Sequence, residues 1–133
     1  GIVPGGGTAL VRASKALESI EGSSDFMTGV SILKTALDAP LRQIVENAGK
    51  EPAVIVDKVL NHQEMFGYNA ATDQFVDMMK DGIVDPKKVT RSALQNAVSI
   101  ASIFLTMEAA ITDLPKSDSE QPEMPMPPMG MGM

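Results

Sequence analysis

Residues 1–10, GIVPGGGTAL, set three glycines directly before a helical pattern. Without Cβ atoms the backbone there can pass close against a phosphate, a sugar or a flat base. The spacing does not match G-x-x-x-x-G-K-[ST], which needs a Lys, nor G-x-G-x-x-G, which needs a Gly where Leu10 stands. A flexible turn into a helix would use the same glycines. Two further polar residues stand out in the stretch FGYNAATDQFVDMMKDGIVDPKKVTRSAL, residues 66–94. Asn69 precedes a pair of alanines, and Asp85 precedes Pro86 at the start of a long helical run. Read as structure, Asn69 makes an Asx-turn. Asp85 is an N-cap, a role that contributes about 0.5–2 kcal/mol.

The remaining chemistry-bearing side chains form no catalytic set. His62 is the single histidine and reads as a surface residue. Asp77, Asp81 and Asp85 recur every fourth residue, but Gly82 interrupts them, so they read as solvated helix-face acids rather than metal ligands. Ser92 and Ser99 have no His–Asp system to activate them, and Glu108 reads as an ion-pair partner on a helical face. Cysteine is absent, so neither a disulfide nor a thiolate site exists, and a reducing cytosol is permitted. A formal net charge of -6 argues against a nucleic-acid surface. The longest apolar stretch, residues 97–111, is broken by Glu108 and falls short of the roughly 20 apolar residues a membrane helix needs.

The elements that must position these residues are mainly helical. TALVRASKALESIEG repeats apolar residues at Leu10, Ala13, Ala16/Leu17 and Ile20, a helical spacing with Arg12, Lys15 and Glu18 turned outward and Gly22 as the stop. Ser24 caps a run in which Met27, Val30, Leu33 and Leu37 share a face. Pro40 starts another helix carrying Leu41, Ile44, Val45 and Ala48, closed by Gly49. Pro52 opens a third, short helix that ends near Leu60. Residues 66–70 read as an extended piece entering a turn, and Phe75 and Val76 begin a second short element. Val76, Met79 and Ile83 suggest a helical turn ending at Gly82. The longest helix follows Asp85-Pro86, with Val89, Leu94, Ala97, Val98, Ala101, Leu105 and Glu108 on one broad face; residues 109–113 form its last turn or a short strand. Residues 115–133 carry Pro, Ser, Gly and Met without periodicity and read as a disordered tail. The start at GIVPGGG, with no initiator Met, reads as a fragment or a processed product.

GIVPGGGTAL, APLRQIVENAG, GYNAATDQF, GIVDPKKVTRSAL and ITDLPK, in this order, resemble the C-terminal part of a group I chaperonin large subunit, the bacterial and organellar type. The resemblance covers residues 1 to about 116. It implies a helical chaperonin equatorial-domain fragment: residues 1–114 would be the C-terminal segment of the ATP-binding domain and 115–133 its flexible tail. ATP is the implied nucleotide, with Gly6 beside it, Asn69, Ala70 and Ala71 lining the adenine, and Asp85 holding the ribose hydroxyls. This is chemically coherent. A purine offers a flat face and edge donors and acceptors, which suit small side chains and one amide; a ribose diol donates to an ionised carboxylate. Catalytic and Mg2+-binding residues are implied to lie upstream. The implied partners are identical subunits in seven-membered rings, usually two, with a co-chaperonin and unfolded polypeptides, in a bacterial cytoplasm or an organellar matrix or stroma. The tail departs from the family's Gly-Gly-Met repeats by carrying Pro in place of many glycines. A small helical interaction module without nucleotide binding is the competing reading of the same helices.

Overall fold

The computed structural model describes residues 1–63 and 65–114, and the expected disordered tail at 115–133 lies outside the described residues. The order is β1 (Ile2–Pro4), α1 (Thr8–Ala13), a 3₁₀ helix (Ser14–Ser19), α2 (Ser24–Asn47), α3 (Pro52–Asn61), β2 (Phe66–Asn69), β3 (Gln74–Asp77), β4 (Val84–Pro86) and α4 (Lys87–Thr106). The fold is mainly α, as the helical periodicity predicts; β2 and β3 fall where two short elements are expected, whereas β1 and β4 carry no strand signal of their own. β1 pairs antiparallel with β4, and β2 with β3, as two separate two-stranded sheets.

The core lies where α1, α2, α3 and β2 meet, and gathers Val11, Leu41, Val45, Ile55, Val56, Val59 and Tyr68. α3 follows its sequence signals closely: Pro52 sits in the first turn and Glu51 accepts a hydrogen bond from the Ala53 amide at 3.3 Å. Gly49, at φ 70°, closes α2 with its amide donating to the Glu46 carbonyl at 2.8 Å, the left-handed ending expected of a glycine.

α2 departs from expectation by running unbroken through Pro40. An interior proline costs about 3 kcal/mol or more. However, Leu37, Leu41 and Val45 lie one turn apart on either side of it, and all are buried. Each such side chain contributes about 1.5–3 kcal/mol on burial, so the continuous stripe outweighs the lost backbone bond. Its cap is Ser23 rather than Ser24, through a hydrogen bond from the Phe26 amide at 3.4 Å.

The first helix is also shorter than its pattern. α1 ends at Ala13 and tightens into the 3₁₀ helix, and the buried positions are Thr8, Val11 and Ser14 rather than the Leu10–Ala13–Leu17 face. Ser14 is tolerated there because its hydroxyl donates to the Val11 carbonyl at 2.6 Å. Arg12 turns inward instead of outward: its guanidinium donates to the carbonyls of His62, Gln63 and Phe66, the last at 2.8 Å. This ties α1 to the loop that enters β2.

The stretch expected as a helical turn at 76–83 is strand β3 followed by a tight turn. Asp77 shapes that turn by accepting from the amides of Met79 and Lys80 at 3.1 and 3.2 Å, which makes it a local turn former rather than a helix-face acid. Glu108 lies past the end of α4, which stops at Thr106, and residues 109–113 form neither a helical turn nor a strand. None of the residues of α4 is buried: Val89, Ile100, Ile103, Phe104 and Leu105 are all more than half exposed. No helix among the described residues is long and apolar enough to cross a membrane.

Candidate functional site

The glycine run forms a tight turn between β1 and α1, with Gly6 at φ 61° and Gly7 at φ 77°. These left-handed values cost L-residues with a Cβ roughly 1–2 kcal/mol each, which accounts for two of the glycines. Close packing against backbone accounts for Gly5 and Gly7, whereas the nearest neighbour of Gly6 is the flexible end of Met78. A Cβ on Gly5 would sit 3.1 Å from the backbone of Ile83 and Val84, and one on Gly6 would sit 3.2 Å from Met78 Cε and 3.9 Å from the Tyr68 carbonyl oxygen. A Cβ on Gly7 would come 2.7 Å from the Leu41 amide nitrogen. The turn is therefore wedged among α2, β2 and the segment entering β4, and the Gly5 amide donates to the Ile83 carbonyl at 2.9 Å.

Asp85 is held in a strand, not at a helix cap. β1 and β4 pair Val3 with Asp85 and Pro4 with Val84, so the chain stays extended through Pro86. α4 then starts at Lys87 with no side-chain cap, and the Lys87 amide donates to the Gly1 carbonyl at 3.0 Å. This corrects the cap reading of Asp85, because strand pairing claims the residue before the helix can. Its position, partly buried, is on the wall of a cleft of about 460 Å³ between α1, α2 and α4, together with Gly7, Leu10, Leu37, Pro40 and Val89. That wall is mostly apolar and Asp85 is the one acidic residue on it, a composition suited to an apolar ring with a hydroxyl-bearing group beside it.

Asn69 ends β2, and its Oδ1 accepts from the Ala71 amide at 3.0 Å, the Asx-turn expected of it. Asn69 and Ala70 are partly buried and Ala71 is exposed. The structure thus brings Gly7 and Asp85 to one cleft and sets Gly6 against Tyr68, the neighbour of Asn69. Gly6, Asn69, Ala70 and Ala71 do not themselves line the cleft that holds Asp85. His62 is exposed and stacks on Phe66, with ring centroids 4.6 Å apart. Among the described residues no group of three or more His, Cys, Asp or Glu side chains comes together to hold a metal.

Sequence reasoning missed a polar network beside Asn69. Asp73 has φ 55°, the one positive value among described non-glycine residues. Its Oδ1 accepts from the Tyr68 hydroxyl at 2.8 Å and its Oδ2 from Lys50 Nζ at 2.5 Å. Hydrogen bonding from Lys50, then from Tyr68, holds the Asp73 carboxyl below the usual carboxylate range. Its hydrogen bond raises the Lys50 ammonium, while burial first and Asp73 second raise the Tyr68 hydroxyl. The available signal was local: a four-residue connection after Asn69 needs a left-handed residue, and Asp tolerates that conformation better than Ala or Thr.

Comparison with known proteins agrees with this architecture. The model of the TCP-1/cpn60 chaperonin family matches residues 1–115. Among solved structures, the open-state monomer of a group II chaperonin from Methanococcoides burtonii superposes with a TM-score of 0.70 at 24% sequence identity. The match covers 80% of this chain and 28% of that one, so the chain spans under a third of the length of the chaperonin it superposes on. At that identity the likeness establishes a shared fold. The family model, which takes in the glycine turn, the β2–β3 hairpin, β4 and the whole of α4, establishes more: the chain belongs to the TCP-1/cpn60 chaperonin family.

Proposed function

We propose that this chain is the C-terminal segment of the ATP-binding equatorial domain of a group I chaperonin subunit, with residues 1–114 supplying adenine and ribose contacts and ring-forming surface. The observation that carries the reading is a juxtaposition of three segments far apart in sequence. The glycine turn packs on Tyr68, beside Asn69, and on Ile83 and Val84, beside Asp85. In this reading the Asp85 carboxylate accepts from the ribose hydroxyls and the Asn69 side chain reads the base edge. Ala70 and Ala71 offer the base a small apolar surface, and Gly6 lets the backbone come close.

The phosphates and Mg2+ belong to residues outside this chain. Close to the glycine turn, Arg12 is committed to loop carbonyls and Lys15 is exposed. Phosphoryl transfer depends on positioned charge around the γ-phosphate. The isolated 133-residue chain is accordingly expected to release no phosphate from Mg-ATP; turnover that co-purifies with it would contradict the assignment. ATP-driven folding of unfolded polypeptides, a co-chaperonin, rings of seven subunits and a bacterial cytoplasmic or organellar location are properties of the whole subunit and part of this proposal. The five sequence motifs support the group I type over the group II type.

Photolabelling of the complete subunit with 8-azido-ATP tests the adenine contact. Label is expected on the peptide spanning 67–73, and label found only elsewhere would overturn it. One observation favours a helical interaction module instead, namely the exposed apolar face of α4. That reading predicts no nucleotide-dependent label at all.

A further inference from the structure

The tip of the β2–β3 hairpin is held by side-chain hydrogen bonds of Asn69 and Asp73. The ladder ends at the pair Asn69 and Gln74, leaving residues 70–73 to close the chain. Asn69 shapes the first half of that connection through its bond from the Ala71 amide. The second half turns on Asp73 in a left-handed conformation, which an L-residue keeps only when its surroundings fix it.

Both oxygens of the Asp73 carboxylate are engaged, and they reach different parts of the molecule. Oδ1 takes the hydroxyl of Tyr68, a core residue 2% exposed whose ring packs near Phe75, with centroids 5.7 Å apart. Oδ2 takes Lys50, which stands in the connection between α2 and α3, directly after Gly49. One carboxylate therefore pins the hairpin tip to the core on one side and to the helical layer on the other. The Lys50–Asp73 pair is about half exposed at both ends, so it adds little to global stability. A contact that restrains one loop while adding little to the stability of the whole is suited to orienting that loop.

We infer that Asp73, acting through Tyr68 and Lys50, is a positioning residue that sets the Asn69–Ala71 turn against the base of a bound nucleotide. The inference rests on the nucleoside reading above and extends it to base selectivity. With the turn fixed, the Asn69 amide meets the edge of adenine at one geometry; with the turn released, it meets adenine and guanine alike.

The test is equilibrium binding of ATP and GTP to the complete subunit in four forms: unmodified, Asp73→Ala, Lys50→Met and Asp85→Ala. The unmodified protein is expected to favour ATP. Asp73→Ala should cut that preference by about five- to tenfold, and Lys50→Met by about two- to threefold, because a misplaced polar group loses discrimination before it loses general affinity. Asp85→Ala should weaken both nucleotides alike and keep their ratio. Amide exchange at Ala71 should quicken in Asp73→Ala. Lys50→Met, a surface change of similar length, provides a variant whose folding is secure. An ATP-to-GTP ratio unchanged in both Asp73→Ala and Lys50→Met overturns the positioning role while leaving the nucleoside reading intact. An unmodified protein with no preference for ATP overturns the adenine contact itself, and this inference with it; the two failures are told apart by the unmodified control.

Discussion

Replacing Asp85 with Ala in the complete subunit is expected to weaken ATP binding about ten- to a hundredfold, since hydrogen bonds to a charged acceptor contribute roughly 1.5–3 kcal/mol. Asp85 is one of the residues on the wall of the cleft that Gly7 also lines, in a stretch whose backbone is fixed by pairing with Val3. Asp85→Asn should keep part of the affinity, because the amide oxygen still accepts one hydrogen bond but carries no charge. The geometry sharpens the expectation in one respect. α4 takes no side-chain cap, so neither substitution removes the 0.5–2 kcal/mol or so that a lost cap would cost. Loss of affinity should therefore appear without a matching loss of stability. Binding of ATP and of 2′,3′-dideoxy-ATP provides the control: the unmodified protein should distinguish them clearly, and Asp85→Ala should bind both with similar, weak affinity. Equal binding of the two nucleotides by the unmodified protein would remove the ribose contact from Asp85.

The largest structural effect is expected at Gly7. Its Cβ would lie 2.7 Å from the amide nitrogen and 3.0 Å from the Cα of Leu41, a fully buried residue in the C-terminal half of α2, so relief requires a backbone shift. Overpacking of this kind costs about 1–3 kcal/mol, and the left-handed conformation adds about 1–2 kcal/mol. Gly7→Ala should thus destabilise the contact between the glycine turn and α2 by about 2–5 kcal/mol. Gly49→Ala is the matched control, because φ there is 70° but nothing lies within 4 Å of the added methyl group. It should show the conformational cost alone. Native-state hydrogen exchange over α1 and α2 reads these losses locally. Equal losses for the two substitutions would mean that the approach to Leu41 relaxes freely and that the wedge does not hold the cleft in shape.

The sequence by itself determined the elements whose causes are local. Pro52 and Gly49 set the start of α3 and the end of α2, because proline at a first turn and glycine in a left-handed ending act within a few residues. The Asx-turn at Asn69 and the long helix after Pro86 follow for the same reason. The order of the five motifs carried the family, since that information lies along the chain and requires no contact. What only the tertiary structure decided were matters of competition between distant groups. Three residues, Ile2 to Pro4, show no strand periodicity, and they become a strand because Val84 to Pro86 is there to pair with them. That pairing takes Asp85 away from the cap role its neighbours suggest. Pro40 looks like a helix start and becomes a helix interior, because the buried stripe of Leu37, Leu41 and Val45 outweighs one lost hydrogen bond. Arg12 reads as a solvent-facing charge until the carbonyls of His62, Gln63 and Phe66, some fifty residues away, converge on its guanidinium. The carboxylate of Asp73 likewise finds Lys50 across a separation of 23 residues. In each case the deciding partner is remote in the chain, and only folding brings it within reach of a hydrogen bond or a packed side chain.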